Sequence, residues 1–438
     1  MLKEFDNKEK INYRESLGVF EETAQLKRVM MWGLPGTETI LGQLLPKSRS
    51  CFEKSFNVLK ARDEMEGAMD LINKEGVEIF MVKDEWAKMI EDKGIKADQN
   101  ADELKKDLKE RGKYLYFRFK DERDKELEEE KKKALEKGES VEKLADLDVL
   151  DSIDVVLGAD VARYGENAAV VMNQQLSMQG YFCKDGENVP LANIFYARDQ
   201  SNLIGTTWVW SSMKHDIRKA EVDIYKDVVR HSGILKDSGV VEVEVGEKNG
   251  NLALFEGGDG IVNNETAYIG LGGRTNLEGV KQIAKPILES GLKIVVVRDR
   301  ERARNGKNEM DAMHLDTFWM PTDVDEVVGC PDEINCRNAY EAYLDDNSEI
   351  RFRSLGSFSD HLLSREIDMV PLSIDEQRKY APNFLNLGKG KIILSLSNGN
   401  NLTEELTERG KVVQNADFQE VTKGFGGLHC ATAALERC

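Results

Sequence analysis

Gln25-Leu-Lys-Arg-Val-Met-Met-Trp-Gly33, closed by the turn Leu34-Pro-Gly-Thr37, leads through a helical pattern to Val77-Glu-Ile-Phe-Met-Val82. The first and last of these are short apolar runs bounded by turn residues and read as strands. Between them Phe52, Phe56, Leu59, Met65, Met69 and Ile72 recur at near-helical spacing, with Gly76 just past the end. The spacing predicts a helix over about 51–74. A strand, a helix and a strand in this order require a crossover, which assigns the chain to the α/β class.

The same order of elements recurs outward from that unit. A second unit begins near 188 with Leu191-Ala-Asn-Ile-Phe-Tyr-Ala-Arg-Asp199 and Thr207-Trp-Val-Trp-Ser211 as predicted strands and a helix over 220–235. A third holds Leu252-Ala-Leu-Phe-Glu-Gly-Gly-Asp259, a strand around Tyr268-Ile-Gly-Leu271, a helix over 277–290 and Leu292-Lys-Ile-Val-Val-Val297. The pattern returns over 314–350 and again over 384–430. The units share negligible sequence identity, so what repeats is element order. From about 84 to 160 the composition changes to Lys and Glu with opposite charges three and four apart, the signature of exposed helices. A helical module over 84–160 is therefore expected, inserted between 1–83 and 161–438.

Composition narrows the function. The chain has 438 residues, 40% hydrophobic and 32% charged, with a net charge of −19. No window approaches the roughly 18 uninterrupted apolar residues of a membrane span, and the leader MLKEFDNKEK is charged, so a cytoplasmic protein without membrane partners is expected. The acidic balance opposes nucleic-acid binding and favours the approach of cations. Six cysteines (51, 183, 330, 336, 430 and 438) form no C-x-x-C pair, and the five histidines form no H-x-x-x-H pair. Reduced thiols, no metal and no cofactor are expected.

Chemistry-bearing residues gather beside glycines near predicted strand ends. Gly424-Phe-Gly-Gly-Leu-His-Cys-Ala-Thr432 sets a thiol after a glycine run whose residues tolerate positive φ. Period-two alternation puts Asn193 and Asp199 on one strand face, and His314 and Asp316 on another. It sends His429 away from Cys430, which argues against His429 as a base. Each residue alone has an ordinary reading: Asp199 as a surface carboxylate, His314 as a core histidine, Glu256-Gly-Gly-Asp259 as a turn, Cys430 as a buried thiol. Together a thiol, a histidine and several carboxylates fit attack on a guanidinium, whose planar array of donors two carboxylates can grip.

With those residues in view, the sequence resembles the guanidino-group-modifying enzymes, and most of all the arginine deiminases. The resemblance is carried by N-I-F-Y-A-R-D (193–199), F-E-G-G-D (255–259), G-L-G-G-R-T (270–275), M-H-L-D-T (313–317) and G-G-L-H-C-A-T (426–432). It implies a five-bladed, pseudo-symmetric α/β propeller of repeated ββαβ units with an inserted helical module, and the active site on the propeller axis. It further implies Cys430 as nucleophile, His314 as general acid and base, Glu256 orienting that histidine, and Asp199 and Asp316 as the guanidinium clamp. Asn193, Arg218 and Arg274 fall where the family holds the substrate's α-carboxylate, and Tyr196 where a ring lies along its aliphatic chain. The implied reaction is hydrolysis of L-arginine to L-citrulline and ammonia. An amidinotransferase, a deiminase for a modified guanidino compound and a catalytically silent binding homologue are the alternatives. A homo-oligomer is expected on the same ground. Two segments depart from the family pattern: Phe425 stands where an arginine is usual, and Cys-Phe-Glu-Lys at 51–54 stands where L-F-D-D is usual.

Overall fold

The computed structural model describes residues 17–137, 145–183, 185–299, 313–396 and 401–438. The charged leader, residues 1–10, lies outside them.

Five sheets follow one plan: an antiparallel pair, a crossover, and a strand parallel to the second of the pair. Ser201–Ile204 and Thr207–Trp210 form a hairpin, helix Lys219–Ser232 crosses, and Val241–Glu244 returns parallel. Gly260–Asn263 and Thr266–Leu271 repeat this with helix Leu277–Glu289 and strand Lys293–Asp299. That sheet is widened by the hairpin of Arg337–Leu344 and Ile350–Ser357. Trp319–Asp323, Glu326–Gly329 and Asp368–Pro371 make the next sheet, and Leu385–Gly388, Lys391–Leu396 and Val412–Asp417 the one after. The remaining sheet joins the two ends of the described chain: Leu26–Met31 pairs antiparallel with Thr432–Arg437 and parallel with Glu78–Met81. The parallel pairing obliges the chain to cross over, and an amphipathic helix is the economical way to do it. Thr207–Trp210 is buried at every position, as a middle strand covered on both faces should be.

Helices Val82–Asp92, Ala101–Arg118, Lys120–Lys137, Ser152–Tyr164 and Glu166–Gln174 follow the Glu78–Met81 strand. Asn100 and Glu103 cap the second of these reciprocally. Leu104, Leu108, Leu115, Ile153 and Val156 are buried in one apolar cluster with Trp32, Leu41 and Tyr225, so the apolar faces of Ala101–Arg118 and Ser152–Tyr164 pack into a shared core. No helix among the described residues is long and apolar enough to cross a membrane.

Three local expectations differ from what is seen. The helix expected from 51 begins at Val58, where the Asn57 side chain accepts the Lys60 N–H. Phe52 and Phe56 precede it and pack edge to face, with ring centroids 5.1 Å apart. Residues 191–196 are turns rather than a strand, running into helix Ala197–Gln200. Every residue from 191 to 200 is buried, and the Ile194 and Tyr196 N–H groups bond back to Leu191 and Asn193 carbonyls instead of to a neighbouring strand. Likewise 315–317 is a 3-10 turn. There Thr317 Oγ1 donates to the His314 carbonyl at 2.7 Å and the Asp259 carboxylate accepts the Leu315 N–H at 3.3 Å, bonds that compete with a strand ladder.

Candidate active site

Turns, not strands, hold the chemistry. Glu256, the residue before the turn Gly257–Asp259, is fully buried and its Oε2 lies 3.0 Å from His314 Nε2. Gly258 permits this approach, because a Cβ there would stand 2.7 Å from His314 Nδ1. The other face of the imidazole meets Asp199: Nδ1 is 3.6 Å from Oδ1. Asp316 Oδ2 is 3.5 Å from Cys430 Sγ and 2.8 Å from His429 Nδ1. Asp199, Glu256, His314, Asp316 and Cys430 are all buried. Glu256, His314 and Asp199 thus stand together, as do Asp316 and Cys430, although the strand alternation expected for Asn193 with Asp199 and for His314 with Asp316 is absent.

The electrostatics follow from packing carboxylates around two reactive groups. Burial depresses the His314 pKa, but Asp199, Glu256 and Asp259 outweigh it and raise the value to about 9, so the ring is an imidazolium at neutral pH. Burial also raises the Cys430 thiol well above its usual range, and Asp316 and Asp199 push it further. Against burial, which would raise it, Arg274 and His314 hold Glu256 well below the ordinary carboxylate range. Asp316 is also lowered despite burial, through its bond to His429. Asp259 is raised to about 6 by burial. Among the described residues, Asp199 Oδ1 and Asp316 Oδ1 are buried and accept no hydrogen bond, and Asp199 Oδ1 faces His314 at 3.6 Å.

The residues assigned to the substrate's tail have partners of their own. Arg218 donates to Asp199 Oδ2 at 2.7 Å, to Glu221 Oε2 at 3.0 Å and to the Asn193 carbonyl at 3.4 Å. Arg274 reaches Glu256 Oε2 at 3.1 Å. The Asn193 amide donates to the Ser50 carbonyl, and Tyr196 donates its hydroxyl proton to the Val421 carbonyl at 2.6 Å. Asp199, Glu256 and His314 also present ligand atoms within 4.8 Å of one another, as a metal site would. Of the three, Asp199 is already paired with Arg218 and Glu256 with Arg274.

A family model for arginine deiminase matches residues 49–437. The chain belongs to the arginine deiminase family. An arginine deiminase of Listeria monocytogenes serotype 4b is 26% identical over 282 residues, covering 61% of this chain and 65% of the relative. The uncharacterised protein YkgA of Bacillus subtilis is 25% identical over 242 residues, covering 55% and 69%. The match thus spans about two thirds of the length of these relatives. Among solved structures, a dimethylarginine dimethylaminohydrolase in adduct with S-methyl-L-thiocitrulline shares the fold: TM-score 0.50 at 13% identity, over 93% of this chain and 99% of the other.

Within this arginine deiminase family member the two departures noted above turn out to be joined. The N–H groups of Glu53 and Lys54 both donate to the Lys423 carbonyl, tying residues 51–54 to the loop that carries Phe425. The glycines there serve close approach: a Cβ at Gly426 would stand 2.5 Å from the Tyr196 ring. The left-handed residue is Phe425 itself, at φ 70°, while Gly424, Gly426 and Gly427 lie outside that region. Two contributors escaped the sequence. Asn383 donates to Cys430 Sγ at 3.2 Å, and as an asparagine just ahead of a strand it looks like any turn residue. His429 was set aside because a strand would point it away from Cys430, but 428–431 is a turn, and the ring supports Asp316.

Proposed function

We propose that the chain is a cysteine-dependent guanidino hydrolase, converting L-arginine and water to L-citrulline and ammonia. The observation that carries this reading is two buried carboxylate oxygens without a hydrogen bond beside a thiol: Asp316 Oδ1, and Asp199 Oδ1, which faces the imidazolium at 3.6 Å. A buried carboxylate oxygen without a partner is costly, and a guanidinium supplies the missing donors. Gripped there, the cation also offsets the carboxylates that hold the Cys430 thiol protonated, so once substrate is bound the thiol gives its proton to solvent, where it balances the released ammonia as ammonium, and the thiolate forms. Sγ then attacks the guanidinium carbon, the bond to one terminal nitrogen breaks, and His314 gives its proton to the departing ammonia. Water adds to the resulting amidino-thioether and loses a proton to His314. The carbon–sulfur bond breaks, which frees citrulline and restores the thiol and imidazolium. Glu256 keeps the imidazole in register for both steps. In this reading the five ββαβ units are the blades of a propeller with the site on its axis.

A second reading concerns the tail. Arg218 and Arg274 are already matched by acidic partners, which favours a guanidino compound without an α-carboxylate. Release of ammonia, or of methylamines from the methylated substrates, across arginine, agmatine, methylated arginines and canavanine decides between them. Arginine turned over best supports the first reading, agmatine the second, and no amine or ammonia from any of them sinks both. Adding glycine or ornithine tests for an amidinotransferase, which releases ornithine from arginine in place of ammonia. Cys430→Ser should cut turnover by at least about 10³-fold while arginine still binds, and appreciable citrulline from that variant would overturn the covalent route.

A further inference from the structure

We infer that Asn383 positions the Cys430 sulfur and stabilises its thiolate, an inference that rests on Cys430 as the nucleophile. Both ends of one buried amide are committed to the loop that bears the thiol. Oδ1 accepts the N–H groups of Gly427 and Cys430, each at 3.0 Å. Nδ2 donates to the Asp316 carbonyl at 3.0 Å and to Sγ at 3.2 Å. Flipping the amide would set Nδ2 against two N–H donors and Oδ1 against a carbonyl and the sulfur, so the donor edge faces Sγ by necessity. The main chain of Asn383 adds to the grip, its carbonyl accepting the His429 N–H at 3.3 Å and the Ser395 hydroxyl at 3.2 Å. The side chain is fully buried, so no water replaces the bond to Sγ when the amide is removed. Around a sulfur faced by Asp316 and raised by burial, this N–H and that of Gly427 act in the opposite direction. A donor fixed before the reaction costs no reorganisation as sulfur gains charge.

The experiment is the pH dependence of iodoacetamide alkylation at Cys430, read by peptide mass spectrometry in the folded protein. Asn383→Asp keeps the shape and the loop-facing oxygen but turns an acceptor toward Sγ, and Asn383→Ser withdraws the donor altogether. Both should move the Cys430 profile upward by about one pH unit, a roughly tenfold slower alkylation at neutral pH. Ser395→Ala loosens the same loop without touching sulfur, since the Ser395 hydroxyl accepts the Leu428 N–H at 2.8 Å, and should leave the profile within threefold. A wild-type profile in both Asn383 variants overturns the proposal. So does an equal shift in Ser395→Ala, which would reduce Asn383 to loop packing, or failure of both Asn383 variants to fold. Appreciable turnover by Cys430→Ser makes the nucleophile assignment itself fall, an outcome the Asn383 variants cannot mimic.

Discussion

Two buried ionic clusters in this molecule are built from the same residue types and finished differently. Where helix Ser152–Tyr164 meets the sheet that joins the chain's ends, Lys83 Nζ lies 2.8 Å from Asp160 Oδ2, Arg62 Nη2 3.5 Å from Asp160 Oδ1, and the Asn173 amide donates to Asp160 at 3.0 Å. The remaining Arg62 donor goes to the Pro35 carbonyl at 2.7 Å. Asp160 is spent entirely on protein partners. Around His314 and Cys430, by contrast, Asp199 and Asp316 each have one oxygen hydrogen-bonded and one without a hydrogen bond, that of Asp199 facing His314 at 3.6 Å. A carboxylate engaged at both oxygens, as Asp160 is, holds elements together, whereas Asp316, with one oxygen unengaged beside the thiol, holds a place for a cation.

The largest test of this contrast swaps one atom in each cluster. Asp160→Asn leaves Lys83 and Arg62 buried without their shared carboxylate and should cost about 3–5 kcal/mol of stability. Its effect on turnover per folded molecule should be slight. Asp199→Asn leaves Arg218 still paired with Glu221 but removes a carboxylate that holds the His314 proton, so stability should fall by less than in Asp160→Asn, whereas kcat/KM should fall roughly 10²–10⁴-fold with the loss of a clamp charge. Chemical denaturation and ammonia release on both variants provide the readout, and equal stability losses would erase the distinction between the clusters.

A smaller effect is expected from pH. His314 moves from 6.5 to about 9 in the folded state. Because the folded value is the higher one, protonation stabilises: the contribution is complete below about 6.5 and is lost as pH rises through about 9, amounting to about 3 kcal/mol. Substrate-free protein should therefore lose stability between those values. His314→Asn should lack that part of the slope, and kcat/KM of the wild type should decline above about 9 as the acid for ammonia departure is lost. A stability profile that is flat from 6.5 to 9 would show that the carboxylates around His314 do not hold its proton.

How far the sequence could be read follows the same division. Crossover strands such as Thr207–Trp210 and Lys293–Asp299 are legible because covered strands need continuous apolar runs, and the helices between them because one face must be apolar. The site residues were named through the motif resemblance, while the strand alternation offered for Asn193 with Asp199 and for His314 with Asp316 failed. Those residues sit in turns set by side-chain and short-range backbone bonds, which have no periodicity to detect. Asn383 and His429 were missed for a related reason: their roles depend on Asp316 and Cys430, which lie 67, 47 and 113 residues away in pairings no local pattern encodes.

The smallest effect belongs to the loop of Phe425, which departs from the family and runs beside Tyr196 and Cys430. Phe425 occupies the left-handed region at φ 70°, which costs a non-glycine residue about 1–2 kcal/mol. Arginine there carries the same backbone cost, so Phe425→Arg changes only what the side chain touches. The loop around it is pinned by Tyr196 through the Val421 carbonyl and by Glu53 and Lys54 through the Lys423 carbonyl, which keeps the backbone in place after the exchange. If that side chain reaches the substrate, arginine affinity should rise a few-fold, about 1 kcal/mol as for a partly solvated charged hydrogen bond, with kcat unchanged. Equilibrium binding to the Cys430→Ser background reads this directly. Unchanged affinity would leave recognition wholly to the carboxylates and arginines of the buried cluster.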